Sequence, residues 1–358
     1  MLPPASYRHT ALDWVNAWRS TLTPSWPERP RHRRPSETER PMKILVHYAF
    51  TDEQVDELRT IATEYGHDLY YAADEAAAIE QVPGCECLLG LFNENVTRAG
   101  DQLRWIQSFS AGMDNFLYPE IIEREQVTVS NTAGLFAPQG GEHAWALLLA
   151  LTRGIRLAVQ NKGERAWAGG QVIELTGMTL GLIGLGGFGQ ETAKRARGYD
   201  MRVLGLDPVR EAPMDDIDEI RTPHPDSLQW LLSSSDAVVV GCPRTPQTYH
   251  LLGADQLAQM KPTAYLICVS RGGIIDEPAL IHALEEGLIA GAGLDVCEQE
   301  PLPADSPLWD TPNLILTPHR AGASQHRPRK IHEFFCDNLR RYLRGETPLN
   351  LVDKARGF

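Results

Sequence analysis

The segment TLGLIGLGGFGQ, residues 179–190, runs an apolar strand-like stretch into a glycine-rich turn and on into the helical sequence ETAKRARGY. Each glycine in that turn has a separate task. Gly184 permits the tight turn, Gly186 lets a pyrophosphate approach the backbone, and Gly189 allows the strand and the helix to pack closely. Amide N–H groups at the helix start would then face phosphate oxygens. Thirty glycines make a chance match easy, so the context has to decide. The next apolar run, MRVLGLDP, ends in Asp207, at about the ~20-residue offset expected of an acid that meets a ribose.

Reading outward, the chain continues with SLQWLLSSS, DAVVVGCP, GADQLAQM, TAYLICVS, DEPALIHALEEG, AGAGLDV and NLILTPH. These are alternating strand and helix patterns, two mononucleotide-binding halves end to end. Upstream, MKILVHYAF, HDLYYA, CECLLGLF, LRWIQSFS and VTVS read as strands separated by helical stretches. The expected fold class is α/β with two Rossmann-like, doubly wound parallel-sheet domains. A long helix, HAWALLLALTRGI, follows Gly140 and Gly141, which mark a domain boundary and a hinge. The closing segment, HRPRKIHEFFCDNLRRYLRG, has helical spacing and returns to the first domain. Residues 42–141 with 320–358 are thus expected to form a substrate domain that is discontinuous in sequence. Residues 142–319 form the nucleotide-binding domain. Residues 1–41, with seven prolines and no sustained period, read as a disordered N-terminal extension. Its Asp13, Glu28, Glu37 and Glu39 weigh against a targeting peptide.

Composition excludes several classes. A net charge of −13 argues against a nucleic-acid partner. No apolar stretch approaches the ~20 residues of a membrane span. Six scattered cysteines fit a reducing, cytoplasmic compartment. Cys85 and Cys87 read as same-face positions of a strand, and no metal is expected.

Three further segments, SRGGIID, EPLP and TPHRAG, each follow an apolar run and carry Arg271, Glu300 and His319. A guanidinium can grip a carboxylate with two prongs and polarise the neighbouring carbonyl. An imidazole can deliver a proton near neutral pH. A carboxylate on its far nitrogen fixes the tautomer and favours the charged form. With a nucleotide loop beside them, these groups supply the parts for moving a hydride and a proton together, which points to a 2-oxo or 2-hydroxy acid. Asp207 would repel a 2′-phosphate and is followed by Pro208, so NAD is preferred over NADP, with Arg210 as the complication.

These segments, together with LRWIQSFSAGMDN, GGEHAWALLLALTR, CPRTPQTYHLL and AGAGLDVCEQEPLP, resemble the D-isomer-specific 2-hydroxyacid dehydrogenases over nearly everything after Met42. The resemblance implies an NAD-dependent interconversion of a small 2-oxo acid and its D-2-hydroxy acid, with glyoxylate, hydroxypyruvate or a pyruvate-like acid as substrate. It implies Arg271, Glu300 and His319 as the catalytic trio and a homodimer formed through the cofactor domain. The backbone amides of Ala111 and Gly112 would hold the substrate carboxylate alongside Arg271. Besides Gly184, Gly186, Gly189 and Asp207, the residues Gly187, Phe188, Pro243, Val269, Ser270, Asp295 and Gly322 match cofactor-lining positions. Glu300 disfavours formate, since the formate dehydrogenases of this superfamily carry glutamine there. Gly141, where alanine is more usual, and Arg320 are departures with expected consequences for the hinge and for substrate choice. The rival class is an NAD-sensing binding protein, similar to the corepressors that share this fold.

Overall fold

The computed structural model describes residues 41–210 and 214–357; the sequence reading of residues 1–40 lies outside them. Among the described residues the chain divides into two compact units, residues 137–323 and residues 41–136 joined by 324–357.

The first part of the discontinuous unit runs β1 (Lys43–His47), α1 (Asp52–Glu64), β2 (Asp68–Tyr71), α2 (Glu75–Gln81) and β3 (Cys87–Gly90). It continues with α3 (Glu94–Ala99), β4 (Trp105–Ser108), α4 (Pro119–Glu123) and β5 (Thr128–Ser130). The strands are all parallel in the order β2-β1-β3-β4-β5. Central strands β3 and β4 are buried at every residue, as expected where helices cover both faces. Local chemistry places the helices. Thr51 caps α1 in a reciprocal capping box with Gln54, and Asp74 and Asn93 cap α2 and α3.

The continuous unit begins with α5 (Ala137–Thr152) and α6 (Ile155–Gly163), then β6 (Thr179–Ile183), α7 (Gly187–Ala196), β7 (Arg202–Leu206) and β8 (Glu219–Arg221). After these come α8 (Pro225–Ser234), β9 (Ala237–Val240), α9 (Ala254–Leu257), β10 (Tyr265–Cys268), α10 (Glu277–Glu285), β11 (Gly291–Leu294) and β12 (Leu314–Leu316). Its seven parallel strands order as β12-β11-β10-β9-β6-β7-β8. The order reverses between β6 and β9, which makes this the doubly wound arrangement, extended by one strand, with its switch point at the end of β6. The chain then returns as α11 (Arg327–Leu343), which packs on α1 in the discontinuous unit.

Two details differ from expectation. Gly140 and Gly141 lie inside α5, which starts at Ala137, and both are buried. A Cβ on Gly140 would fall on the Phe188 ring, and one on Gly141 would sit 2.8 Å from the Glu191 Cβ. The pair therefore serves close packing of α5 on α7, and the unit boundary falls at 136/137. Strand β8 is the second difference: two half-buried residues and an exposed one on a sheet edge, with Ile220 alone apolar, carry no strand signature. No helix among the described residues is long and apolar enough to cross a membrane.

Candidate active site

The glycine turn stands at the switch point. Gly184 has φ +94°, and a Cβ there would lie 2.6 Å from the backbone nitrogen of Cys242 in the loop after β9. A Cβ on Gly189 would fall on the Gly184 carbonyl oxygen, so strand and helix can close up only around glycine. Gly186 differs. It caps α7 without any side-chain hydrogen bond, and a Cβ built on it would meet nothing within 4 Å. Space and unsatisfied donors thus occur together where a pyrophosphate would need both.

Asp207 follows β7 and is 9% exposed. One carboxylate oxygen accepts from the Leu185 amide at 2.8 Å, and the other from the amides of Val209 at 2.9 Å and Arg210 at 3.0 Å. A carboxylate offers about four acceptor sites, so roughly one remains for a ribose hydroxyl. The residues present suit a dinucleotide.

Arg271, Glu300 and His319 emerge from the carboxyl ends of β10, β11 and β12, which are neighbours in the sheet. The Arg271 and Glu300 loops touch through Gly272, where a Cβ would collide with the carbonyl oxygen of Cys297. The Arg271 guanidinium donates to the Ser270 carbonyl at 2.7 Å. Glu300 accepts from the Cys297 amide at 3.0 Å through Oε1, while its Oε2 lies 2.6 Å from Nδ1 of His319. That contact fixes Nδ1–H as the donor and leaves Nε2, across the ring, as the atom able to exchange a proton. The His319 side chain is 47% exposed.

His319 has φ 52°, a left-handed conformation that a non-glycine residue keeps only when its surroundings hold it. Asp295 does the holding. Its carbonyl accepts from the His319 amide at 2.8 Å. Its carboxylate accepts from the amides of Arg320 and Ala321 at 2.8 and 2.6 Å and from Thr317 Oγ1 at 2.6 Å. His143 on α5 completes the set, with Nε2 2.9 Å from Thr317 Oγ1 and 3.2 Å from the carboxylate. Burial pushes the Asp295 carboxyl up, but these four donors outweigh it and hold the group below the usual carboxylate range. The Asp295 carboxylate thus braces the His319 loop. Sequence reasoning missed His143 and Thr317, because no local spacing announces a contact between residues so far apart.

The other expected residues spread over both units. Pro243 is exposed after β9, and Val269 and Ser270 are buried after β10. Gly187 opens α7, the Phe188 ring packs against α5, and the Gly322 carbonyl accepts from Gln139 Nε2 at 3.4 Å. Ala111 and Gly112 belong to the discontinuous unit, in the loop after β4. Asn131 Nδ2 donates to the Ala111 carbonyl at 3.0 Å, and Thr132 braces Ser110 and Phe109. Among the described residues, the amides of Ala111 and Gly112 make no hydrogen bond.

Comparison with known proteins agrees with this geometry. Residues 145–321 match the family model for the D-isomer-specific 2-hydroxyacid dehydrogenase NAD-binding domain. The chain is 38% identical over 286 residues to a glyoxylate reductase of Korarchaeum cryptofilum, covering 77% of this chain and 85% of that one. Among solved structures, a D-isomer-specific 2-hydroxyacid dehydrogenase family protein of Aeromonas salmonicida superposes with TM-score 0.75 at 28% identity, covering 87% of this chain and 99% of the other. A D-isomer-specific 2-hydroxyacid dehydrogenase of Xanthobacter autotrophicus, in complex with NADPH and MES, gives 0.73 at 27% identity, covering 88% and 99%. An NAD(P)-binding turn, two parallel-sheet units and a histidine–carboxylate pair at adjacent strand ends agree with these matches, and the chain belongs to the D-isomer-specific 2-hydroxyacid dehydrogenase family.

Proposed function

We propose that this oxidoreductase reduces a small 2-oxo acid, with glyoxylate, hydroxypyruvate and pyruvate-like acids as the substrate class, and that His319, Glu300 and Arg271 carry the reaction. The observation that carries this reading is the 2.6 Å contact between Glu300 and His319 Nδ1, which leaves Nε2 available on an exposed ring. A bound reduced nicotinamide supplies the hydride. His319 Nε2 gives its proton to the carbonyl oxygen as that oxygen becomes negative, while Glu300 holds the ring through Nδ1. Arg271 grips the substrate carboxylate in two-pronged fashion. The relation to a glyoxylate reductase over most of the chain supports the substrate class, and an intact trio supports turnover over NAD sensing alone.

For the cofactor, NADH is preferred. Asp207 has about one acceptor site left, so repulsion of a 2′-phosphate sets the preference more than any multiplication of ribose hydrogen bonds. Association as a homodimer is supported by Ile155, Val159, Trp167 and Val172, apolar side chains that the continuous unit leaves exposed. A cytoplasmic location fits six unpaired cysteines. NADH and NADPH oxidation, measured across 2-oxo acids and across aldehydes that lack a carboxylate, tests the proposal. Turnover is expected with the acids and NADH. Equal turnover of the simple aldehydes would remove the role given to Arg271.

A further inference from the structure

Away from the strand ends, the seam between α1 and α11 gathers three side chains of metal-binding type. His332 and Cys336 stand one turn apart on the buried face of α11, and Glu57 comes from α1. Cys336 Sγ lies 3.5 Å from His332 Nε2, and Nε2 lies 3.8 Å from Glu57 Oε2. All three ligand atoms fall within 4.8 Å of one another. We propose that Glu57, His332 and Cys336 form a three-ligand site for a zinc-class divalent cation, with water in the fourth position, that fastens the returning helix α11 to α1.

The spacing favours this reading. Bonds of about 2.3 Å to sulfur and about 2.0–2.2 Å to nitrogen and oxygen, set at tetrahedral angles, place ligand atoms roughly 3.3–3.6 Å apart. The sulfur–nitrogen pair already has that separation. Glu57 is the ligand that must move closer, and its side chain is 53% exposed and able to do so. The same exposure gives the ion an entry path and the water a place. His332 and Cys336 are 6% and 2% exposed, so they supply the fixed half of the site.

Electrostatics point the same way. His332 Nε2 faces three acceptors: Glu57, Cys336 and the Gln54 carbonyl at 3.0 Å. One N–H cannot serve all three fully. A cation in the gap would meet all three side chains at once. Two anionic ligands and one neutral imidazole balance a divalent ion. Arg340, 3.8 Å from the other Glu57 oxygen, is placed to orient the carboxylate. The Gln54 carbonyl, lying within α1, keeps its intrahelical partner when the imidazole turns to the metal. The plainer reading is that His332 Nε2–H simply ties the helices together through Gln54 while Cys336 fills space.

A titration of the full chain, stripped with a chelator and loaded with Zn²⁺ or Co²⁺ alone, separates the two. The proposal expects one equivalent per chain and a near-ultraviolet thiolate-to-cobalt charge-transfer band. A hundredfold excess over Kd should raise Tm by about 5 °C or more. Cys336→Ser should abolish the band, and Glu57→Gln, a surface change, should weaken binding by at least about tenfold. The pairs His319–Glu300 and His250–Glu298 also join imidazole to carboxylate but include no thiol, so the band reports on the seam. Absence of the band, or its persistence in Cys336→Ser, overturns the proposal.

Discussion

The two units build their sites from different materials. In the continuous unit, three side chains emerge from three adjacent strand ends, and the sheet order brings them together: β10, β11 and β12 are neighbours. In the discontinuous unit, the candidate substrate contacts are backbone amides in one loop, and the metal-type cluster joins two helices from opposite ends of the described chain. A side chain that follows a strand announces its place. An amide, or a contact between α1 and α11, does not.

Substitutions that remove the strand-end geometry should therefore do the most harm. Arg271→Lys keeps the charge but loses the planar fork. One lost charge-assisted hydrogen bond together with misorientation should lower kcat/KM by about 10²–10³-fold. If kinetics with a 2-oxo acid show less than tenfold, the guanidinium does not grip the carboxylate.

Gly272→Ala tests whether closeness of the Arg271 and Glu300 loops matters in itself. The added methyl would collide with the Cys297 carbonyl, so the loops must part. Displacement on the order of 1 Å should reduce kcat by about 10²-fold while NADH binding is retained. Unchanged kcat would mean that the two loops act independently.

Asp295→Asn should act more mildly, through the His319 loop. The amide puts a donor in place of one of the two oxygens that accept from the amides of Arg320 and Ala321. A cost of about 1–3 kcal/mol would appear as a drop of several degrees in Tm, with kcat lowered about tenfold. The carboxyl is held below its usual value in the fold, so its stabilising contribution is complete above about pH 4 and is lost as pH falls through the depressed value. The Tm gap between the parent and Asp295→Asn should accordingly narrow below about pH 4. A gap that stays constant down to pH 3 would show that the carboxylate charge is not what holds the loop.

Legibility followed the same division. The glycine turn, the five strands of the discontinuous unit and the strand ends bearing Arg271, Glu300 and His319 were readable because apolar runs and glycine spacing are local signals. Strand β8 was not, since Glu219–Arg221 gains its place only by pairing with β7. The start of α5 is hidden in the sequence because Gly140 and Gly141 resemble a hinge, whereas Phe188 and Glu191 lie against them. The Asp295 clamp depends on Thr317, on His143 and on two backbone amides, which no single segment of sequence displays.

In the proposed reaction His319, poised by Glu300, delivers the proton. The most direct measurement compares the parent enzyme with His319→Gln in steady-state reduction of glyoxylate by NADH, with NADH binding followed separately by fluorescence. The geometry predicts a fall in kcat of at least about 10²-fold with NADH affinity little changed. A variant that keeps kcat within a few-fold of the parent, or that loses turnover only because NADH no longer binds, would contradict it.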